Sequence, residues 1–278
     1  MDLTYDRSLV AAIYDGYGDK EWDRHEIRPF DQVSFHVHRH YLSGFVRDGD
    51  RVLEAGAGAG RFTVELAQLG ARIVATDISP GQLDLNSIHV AEAGLETHIE
   101  ARELADILDL SRYPDRSFDV VVCYGGPLSY VMDRSDDALD ELLRVTKPGG
   151  HVLIGVMSKH GSLHAFLDGA AAEIEEFGID EMQAILDTGD LPPNHSSMGV
   201  PVHLFSWAEL KGRLDRHPCD LVAVSASASI SIGNDDVCKR WMADPAMWER
   251  FLAWEIDACA QPGAVDGGTH IIAVVRRR

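Results

Sequence analysis

Positive charge is scarce in this chain. Its 278 residues carry 25 Lys and Arg against 45 Asp and Glu, a formal net charge of −20, and only five of the cations are lysines. Nucleic-acid binders need a basic stripe to displace counterions from phosphates, so the balance argues against a nucleic-acid partner. Cysteine is sparse too. Cys123, Cys219, Cys238 and Cys259 show neither paired metal spacing nor a dense disulfide framework, which fits free thiols in a reducing compartment. No run of about 18 apolar residues is available to span a membrane, and Met1-Asp2-Leu3-Thr4-Tyr5-Asp6 lacks the basic start and apolar core of a signal peptide. The expectation is a soluble cytoplasmic protein without internal repeats, built as one large α/β domain with an elaboration or a small cap.

What is present is an alternation of strand and helix signals. Phe62, Leu66 and Leu69 fall at helical spacing with Gly70 as a stop, and residues 71–77 read as a strand ending in an acid. Ser79-Pro80 is a helix start and Gly94 its end. Residues 118–123 form a continuous apolar run, as expected of a strand buried on both faces. Leu139, Leu142 and Leu143 share a helix, the Lys147-Pro148-Gly149-Gly150 turn follows, and 151–156 is the next strand. Farther on, 221–226 and 269–275 read as strands and 245–259 as a helix. This period predicts a parallel sheet with helices on both faces.

Two segments depart from the rhythm. Residues 1–48 predict a helical preface in which Phe30, Val33, Val37, Tyr41 and Phe45 share one apolar face. Residues 157–217 mix helical and loop signals, and a segment of that length is expected over the carboxyl edge of the sheet as a cap. The division is therefore 1–48, a preface or lid, and 49–278, the main domain, with the cap at about 157–217.

The most informative stretch is 51–62. A strand-like start, Glu54, and three alternate glycines at Gly56, Gly58 and Gly60 lead straight into a helix. Glycine permits positive φ and close approach to a bulky ligand, and the helix start offers unsatisfied N–H groups. A dinucleotide fingerprint requires Gly-x-Gly-x-x-Gly, but here the third glycine comes one residue early and Arg61 takes the reserved place. Glu54, two residues before Gly56, would repel a pyrophosphate and suits a ligand with ammonium and sulfonium charges. Arg61 is expected to order the turn or pair with Glu54.

This stretch resembles motif I of the class I S-adenosylmethionine-dependent methyltransferases, and the resemblance extends over roughly residues 30–156. It implies a Rossmann-like sheet, S-adenosylmethionine as cofactor with S-adenosylhomocysteine as product, and a small-molecule acceptor. It places the methionine part of the cofactor on Gly56, Gly58 and Gly60 beside Glu54, the ribose hydroxyls on Asp77, and adenine against Asp106, Ile107 and Ile78. The segment from Cys123 through Tyr124-Gly125-Gly126-Pro127-Leu128-Ser129-Tyr130 occupies the place of motif IV, which faces the transferred methyl. It lacks the Asn/Asp-Pro-Pro-Tyr/Phe signature of amino-group nucleic-acid methyltransferases and is similar to a small-molecule loop.

A sulfonium is already an activated electrophile, so a base is needed only for an acceptor that carries a proton of high pKa. The candidate groups are His203 in the cap, His36 in the preface and Tyr130 in the motif IV loop. His36 and His40 would share a helical face at a zinc-compatible spacing, but no third and fourth ligands are nearby and no metal is expected. O- and N-methylation both stay open. The rivals are a nicotinamide-dependent oxidoreductase, opposed by the glycine spacing and Glu54, and a non-catalytic cofactor-binding protein on the same fold.

Overall fold

The computed structural model describes residues 3–278; Met1 and Asp2, the first residues weighed against a signal peptide, lie outside them. The preface is three helices, α1 (Arg7–Tyr17), α2 (Lys20–Asp23) and α3 (Pro29–Phe45). Asp6 caps α1 by accepting from the Ser8 and Leu9 amides. Along α3, Phe30, Val33, Ser34, Val37, His38 and Tyr41 are buried, a face set by helical periodicity.

The main domain follows as β1 (Arg51–Ala55), α4 (Arg61–Gln68), β2 (Arg72–Asp77), α5 (Pro80–Glu92), β3 (Ile99–Leu104), β4 (Phe118–Cys123), α6 (Pro127–Tyr130), α7 (Ser135–Val145) and β5 (Thr146–Met157). The cap region holds α8 (Lys159–Ala165), α9 (Leu167–Phe177), α10 (Ile179–Thr188) and a two-residue ladder, β6 (Asp190–Leu191) with β7 (Val202–His203). The chain ends through α11 (Trp207–Leu214), β8 (Cys219–Ala226), α12 (Asp235–Met242), α13 (Pro245–Cys259) and β9 (His270–Arg277). Among the described residues no helix is long and apolar enough to cross a membrane.

Seven strands form one sheet in the order β3-β2-β1-β4-β5-β9-β8. The first five are parallel, and the expected all-parallel sheet gives way at one end, where β9 runs antiparallel between β5 and β8. Side chains alternate across the sheet. Val52, Val120 and Val122 join α3, α4, α12 and α13 on one face, while Leu53, Val121 and Cys123 join α7 and α11 on the other. Leu210 and Leu214 of α11 thus belong to the main core, although the sequence placed them in the cap. Trp241, Met247 and Trp248 pack on the first of these faces, whereas Trp254 is exposed.

The chain steps outward from β1 to β3 and returns to β4 beside β1. That reversal leaves a crevice at the carboxyl ends of β1 and β4, the place where open α/β sheets bind ligands. A third apolar cluster roofs it. Val10 of α1, Tyr130 of α6 and Ile185, Val200, Val202 and Leu204 from the cap region pack together there, with Tyr5, Tyr14 and Ile78 against them.

Candidate active site

The glycine turn closes β1 and is held by β2. Thr76 O accepts from both the Gly56 and Ala57 amides at 2.8 and 2.9 Å, and Asp77 Oδ2 accepts from the Gly58 amide at 2.9 Å. All three glycines have positive φ, 82°, 51° and 98°, which a side chain would strain. Because these amides are engaged within the chain, the turn is a shaped cradle rather than an anion nest, and this disfavours a pyrophosphate on it.

Asp77 sits at the end of β2 with Oδ1 accepting from the Ser79 amide at 2.9 Å. Burial pushes its carboxyl up to about 6, against the backbone amides that lower it. Each oxygen keeps a lone pair for a ligand hydroxyl. Across the crevice Asp106 accepts from Leu108 N at 2.9 Å through Oδ1 and from the Tyr5 hydroxyl at 2.8 Å through Oδ2. Ile78, Ala105 and Ile107 line the slot between the two acids, and Gly56, Gly58, Tyr124, Gly125, Pro127 and Tyr130 line its inner end.

Three of the cofactor-side residues lie behind this lining. Glu54 is buried, with Oε2 accepting from Thr63 Oγ1 at 2.6 Å; burial pushes its carboxyl up to about 8, and the nearby Asp77 adds to the rise. Gly60 packs against Asn86, whose Cα would lie 3.2 Å from a Cβ added there. Cys123 is fully buried beneath the loop, its thiol pushed up to about 12 by burial. These residues shape the turn from behind. Arg61 turns away from Glu54 and instead holds the preface, donating to Trp22 O at 2.9 Å and pairing with Glu26.

The preface covers the crevice through polar bonds. Asp15 accepts from Ser79 Oγ at 2.5 Å and from Gly81 N at 2.8 Å, Gln82 Nε2 donates to the Tyr14 and Gly18 carbonyls, and Trp22 stacks on His89 at 3.9 Å.

Both candidate catalytic histidines are elsewhere. His203 spends both ring nitrogens on Asp190 and Glu209, at 2.6 and 2.9 Å; these partners outweigh the lowering effect of burial and hold its pKa above the usual value. A histidine clamped between two carboxylates at the cap ladder has no lone pair free for an acceptor. His36 lies in an outer groove with Arg39, His40 and Glu65, because it falls off the buried face of α3. Tyr130, by contrast, is in the crevice and accepts from the Tyr14 hydroxyl at 2.8 Å. Burial pushes its phenol up to about 12, which makes it a hydrogen-bond donor at neutral pH rather than a base.

Beyond Tyr130 the crevice opens into a second chamber. Tyr14, Glu21, Arg24, His25, Phe62, Gly125 and Tyr130 line both. The chamber continues over Phe30, Ser34, His38, Met157, Phe166, Met198 and His270, so preface, cap region and sheet edge all contribute. Its imidazoles stay neutral. Burial pulls His38 down to about 4 and His270 down to about 3, and lowers His25 strongly as well. His38 Nδ1 lies 2.8 Å from Ser34 O and donates to it, which leaves Nε2 as the acceptor nitrogen. Sequence reasoning missed Arg24, His25, His38 and His270. For His38 a signal existed: it lies four residues from Ser34 and three from Tyr41 on the buried face, where His36 does not.

A methyltransferase-domain family model matches residues 52–150, from β1 through the turn before the last part of β5. Over this stretch the chain is similar to the class I S-adenosylmethionine-dependent methyltransferase family. S-Adenosylmethionine is the cofactor of this family, and the crevice fits it: two carboxylates flank an apolar slot, and the glycine turn has no Cβ to fill the space at its end. The chain is 39% identical over 106 residues to a demethylmenaquinone methyltransferase of Clavibacter sepedonicus, covering 38% of this chain and 40% of that one. It is 29% identical over 152 residues to a ubiquinone biosynthesis O-methyltransferase of Leptothrix cholodnii, covering 54% and 63%. It thus spans less than two thirds of the length of either relative. An S-adenosylmethionine-dependent methyltransferase from Mesorhizobium loti shares the fold, with a TM-score of 0.54 and 18% identity over 84% of this chain and 93% of that chain.

Proposed function

We propose that this protein transfers a methyl group from S-adenosylmethionine to an oxygen or nitrogen atom of a small molecule by in-line displacement. The observation that carries the reading is the continuity of the two cavities at Tyr14, Arg24, Gly125 and Tyr130. Bound S-adenosylmethionine supplies a methyl already activated on a sulfonium, so alignment and exclusion of water are what the chain adds. In this reading Asp77 holds the ribose hydroxyls, Asp106 and the Ile107 amide hold adenine, Ile78 packs on its face, and Gly56 and Gly58 make room for the methionine part. Glu54, Gly60 and Cys123 support that turn from behind.

The acceptor is assigned to the second chamber. Tyr14, Tyr17, Phe30 and Phe166 wall it, which suits a ring, and the names of the two relatives support an acceptor of the quinone-biosynthetic kind. Tyr130 donates a hydrogen bond at the junction. A cytoplasmic setting without a nucleic-acid partner belongs to the same reading, supported by the −20 charge and four buried free thiols.

Calorimetry with S-adenosylhomocysteine and with NAD tests the donor side, followed by S-adenosylhomocysteine release assays over a panel of hydroxylated and aminated aromatics. The expected result is binding of the first ligand alone and release that depends on the acceptor. Tight NAD binding without S-adenosylhomocysteine binding would overturn the reading.

A further inference from the structure

The second chamber contains a cation that is only partly paired. Arg24 donates from Nε to Glu21 Oε1 at 2.6 Å, and among the described residues its two terminal nitrogens make no hydrogen bond within the protein. The side chain keeps 26% exposure, and both cavities are lined by Arg24. One terminal nitrogen would lie 3.3 Å from a Cβ placed on Gly125, so the fork reaches the motif IV loop where the crevice meets the chamber.

The other arginine of the chamber shows what a satisfied one looks like. Arg28 makes a two-pronged bond to Asp31 at 3.0 and 3.2 Å and lies against Phe30 and Phe166 at 4.2 and 5.2 Å from their ring centres. Polar groups that share the chamber with Arg24 include the phenols of Tyr14 and Tyr130 and the imidazoles of His25, His38 and His270. These imidazoles are kept uncharged by burial and also by the field of Arg24 itself. No second carboxylate beyond Glu21 and Asp31 lines the chamber among the described residues.

A desolvated guanidinium with unmet donors leaves a large desolvation cost uncompensated, and the ligand that offsets it best is an anionic oxygen. Glu21 offsets one positive charge, so a cationic donor in the crevice would still leave this junction with a net charge of +1, in a region of low dielectric.

We propose that Arg24 is the anchor for an anionic oxygen of the acceptor, so that the chamber selects a ring bearing an ionised hydroxyl or a carboxylate over its neutral counterpart. The acidic proton is left in bulk water when the acceptor enters, and no side chain of the chamber has to remove it. Tyr14 and Tyr130 donate to the same oxygen or its neighbour, and Glu21 holds the guanidinium in place. The proposal deepens the methyltransferase reading and rests on it for the acceptor's role, although the anion site itself stands on the geometry.

The test uses the full chain saturated with S-adenosylhomocysteine and four probes of similar shape: benzoate against benzamide, and 4-nitrophenol against 4-nitroanisole. Isothermal titration gives affinity, and the visible absorbance of nitrophenolate reports the ionisation of the bound phenol. The anions should bind at least roughly tenfold tighter than their neutral partners, and bound 4-nitrophenol should ionise at lower pH than the free phenol. Arg24→Met should remove both effects, and Arg24→Lys should restore part of them. Glu21→Gln should strengthen anion binding, a gain that misfolding cannot imitate. Equal binding of anion and neutral probe to the wild-type protein, binding of neither, or nitrophenolate retention by a folded Arg24→Met variant would overturn the proposal. Failure of S-adenosylhomocysteine to bind would instead count against the methyltransferase reading, and the anion series repeated without it still decides the role of Arg24.

Discussion

Tyr5 donates its hydroxyl to Asp106 Oδ2 at 2.8 Å across 101 residues of sequence, which places a preface residue on the carboxylate assigned to adenine. The bond ties the preface to the loop that follows β3. Burial, and then the charge of Asp106, raise the Tyr5 pKa and keep the phenol protonated as the donor.

Tyr5→Phe should therefore speed capture of S-adenosylhomocysteine. A hydrogen bond to a charged group contributes about 1.5 to 3 kcal/mol, so a gain of roughly tenfold or more in association rate is expected. Trp22, stacked on His89 in the preface, supplies the fluorescence signal for stopped-flow mixing. Unchanged or slower capture would show that this bond does not hold the preface down.

Asp77→Ala should weaken S-adenosylhomocysteine binding by about 1.5 to 3 kcal/mol, roughly 10- to 150-fold in Kd. The same side chain accepts from Gly58 N and Ser79 N, so some loss of thermal stability accompanies it. Asp77→Asn retains acceptor capacity and should lose less. Calorimetry on both variants separates ligand contact from turn geometry, and wild-type affinity in Asp77→Ala would remove the residue from the site.

The first two glycines of the turn should fail in different ways. A Cβ on Gly56 would run into the Pro127 ring, whereas at Gly58 its nearest neighbour would be Glu21 Cγ, at 3.4 Å. Gly58→Ala is expected to cost about 1 to 2 kcal/mol of stability from its positive φ and to reduce cofactor affinity. Gly56→Ala should cost more than that, because the loop bearing Pro127 must shift as well. Urea melts of the two variants, compared with S-adenosylhomocysteine titrations, check the order; equal stability would contradict the packing of Pro127 on the turn.

Glu54 makes a pH signature. Its folded-state carboxyl is raised from 4.5 to about 8, so the native state binds a proton that the unfolded chain has released. Stability from this group is fully present below about 4.5, falls as pH rises toward 8, and is level above. The fall is at most about 1.4 kcal/mol per pH unit. Glu54→Gln keeps an acceptor for Thr63 without titrating, so the difference in unfolding free energy between it and the wild type should slope across this window. Parallel stability curves would mean that Glu54 is ionised in the native state.

The glycine turn and the acids that face the crevice were legible because each lies in a local pattern. Gly56, Gly58 and Gly60 are within five residues, and their positions after an apolar run and before a helix follow from backbone sterics and side-chain period. Asp77 and Asp106 could be placed by their strand-end and post-strand positions. The direction of β9 could not be read, since a run such as 271–275 is equally apolar in either orientation and only its neighbours β5 and β8 determine how it pairs. His203 illustrates the same limit. Its type suggested chemistry, and its two carboxylate partners, one of them 13 residues away across the short ladder, showed a structural clamp.

By itself the sequence determined an α/β sheet, a glycine turn unsuited to pyrophosphate and the acids around it, because those depend on propensity, period and spacing along a short stretch of chain. Tertiary structure alone decided which residues meet in the second chamber. Arg24, His38, Tyr130 and His270 come from the cap that ends α2 and from α3, α6 and β9, and their meeting depends on how the preface packs over the sheet edge, a sum of long-range contacts that no local pattern encodes.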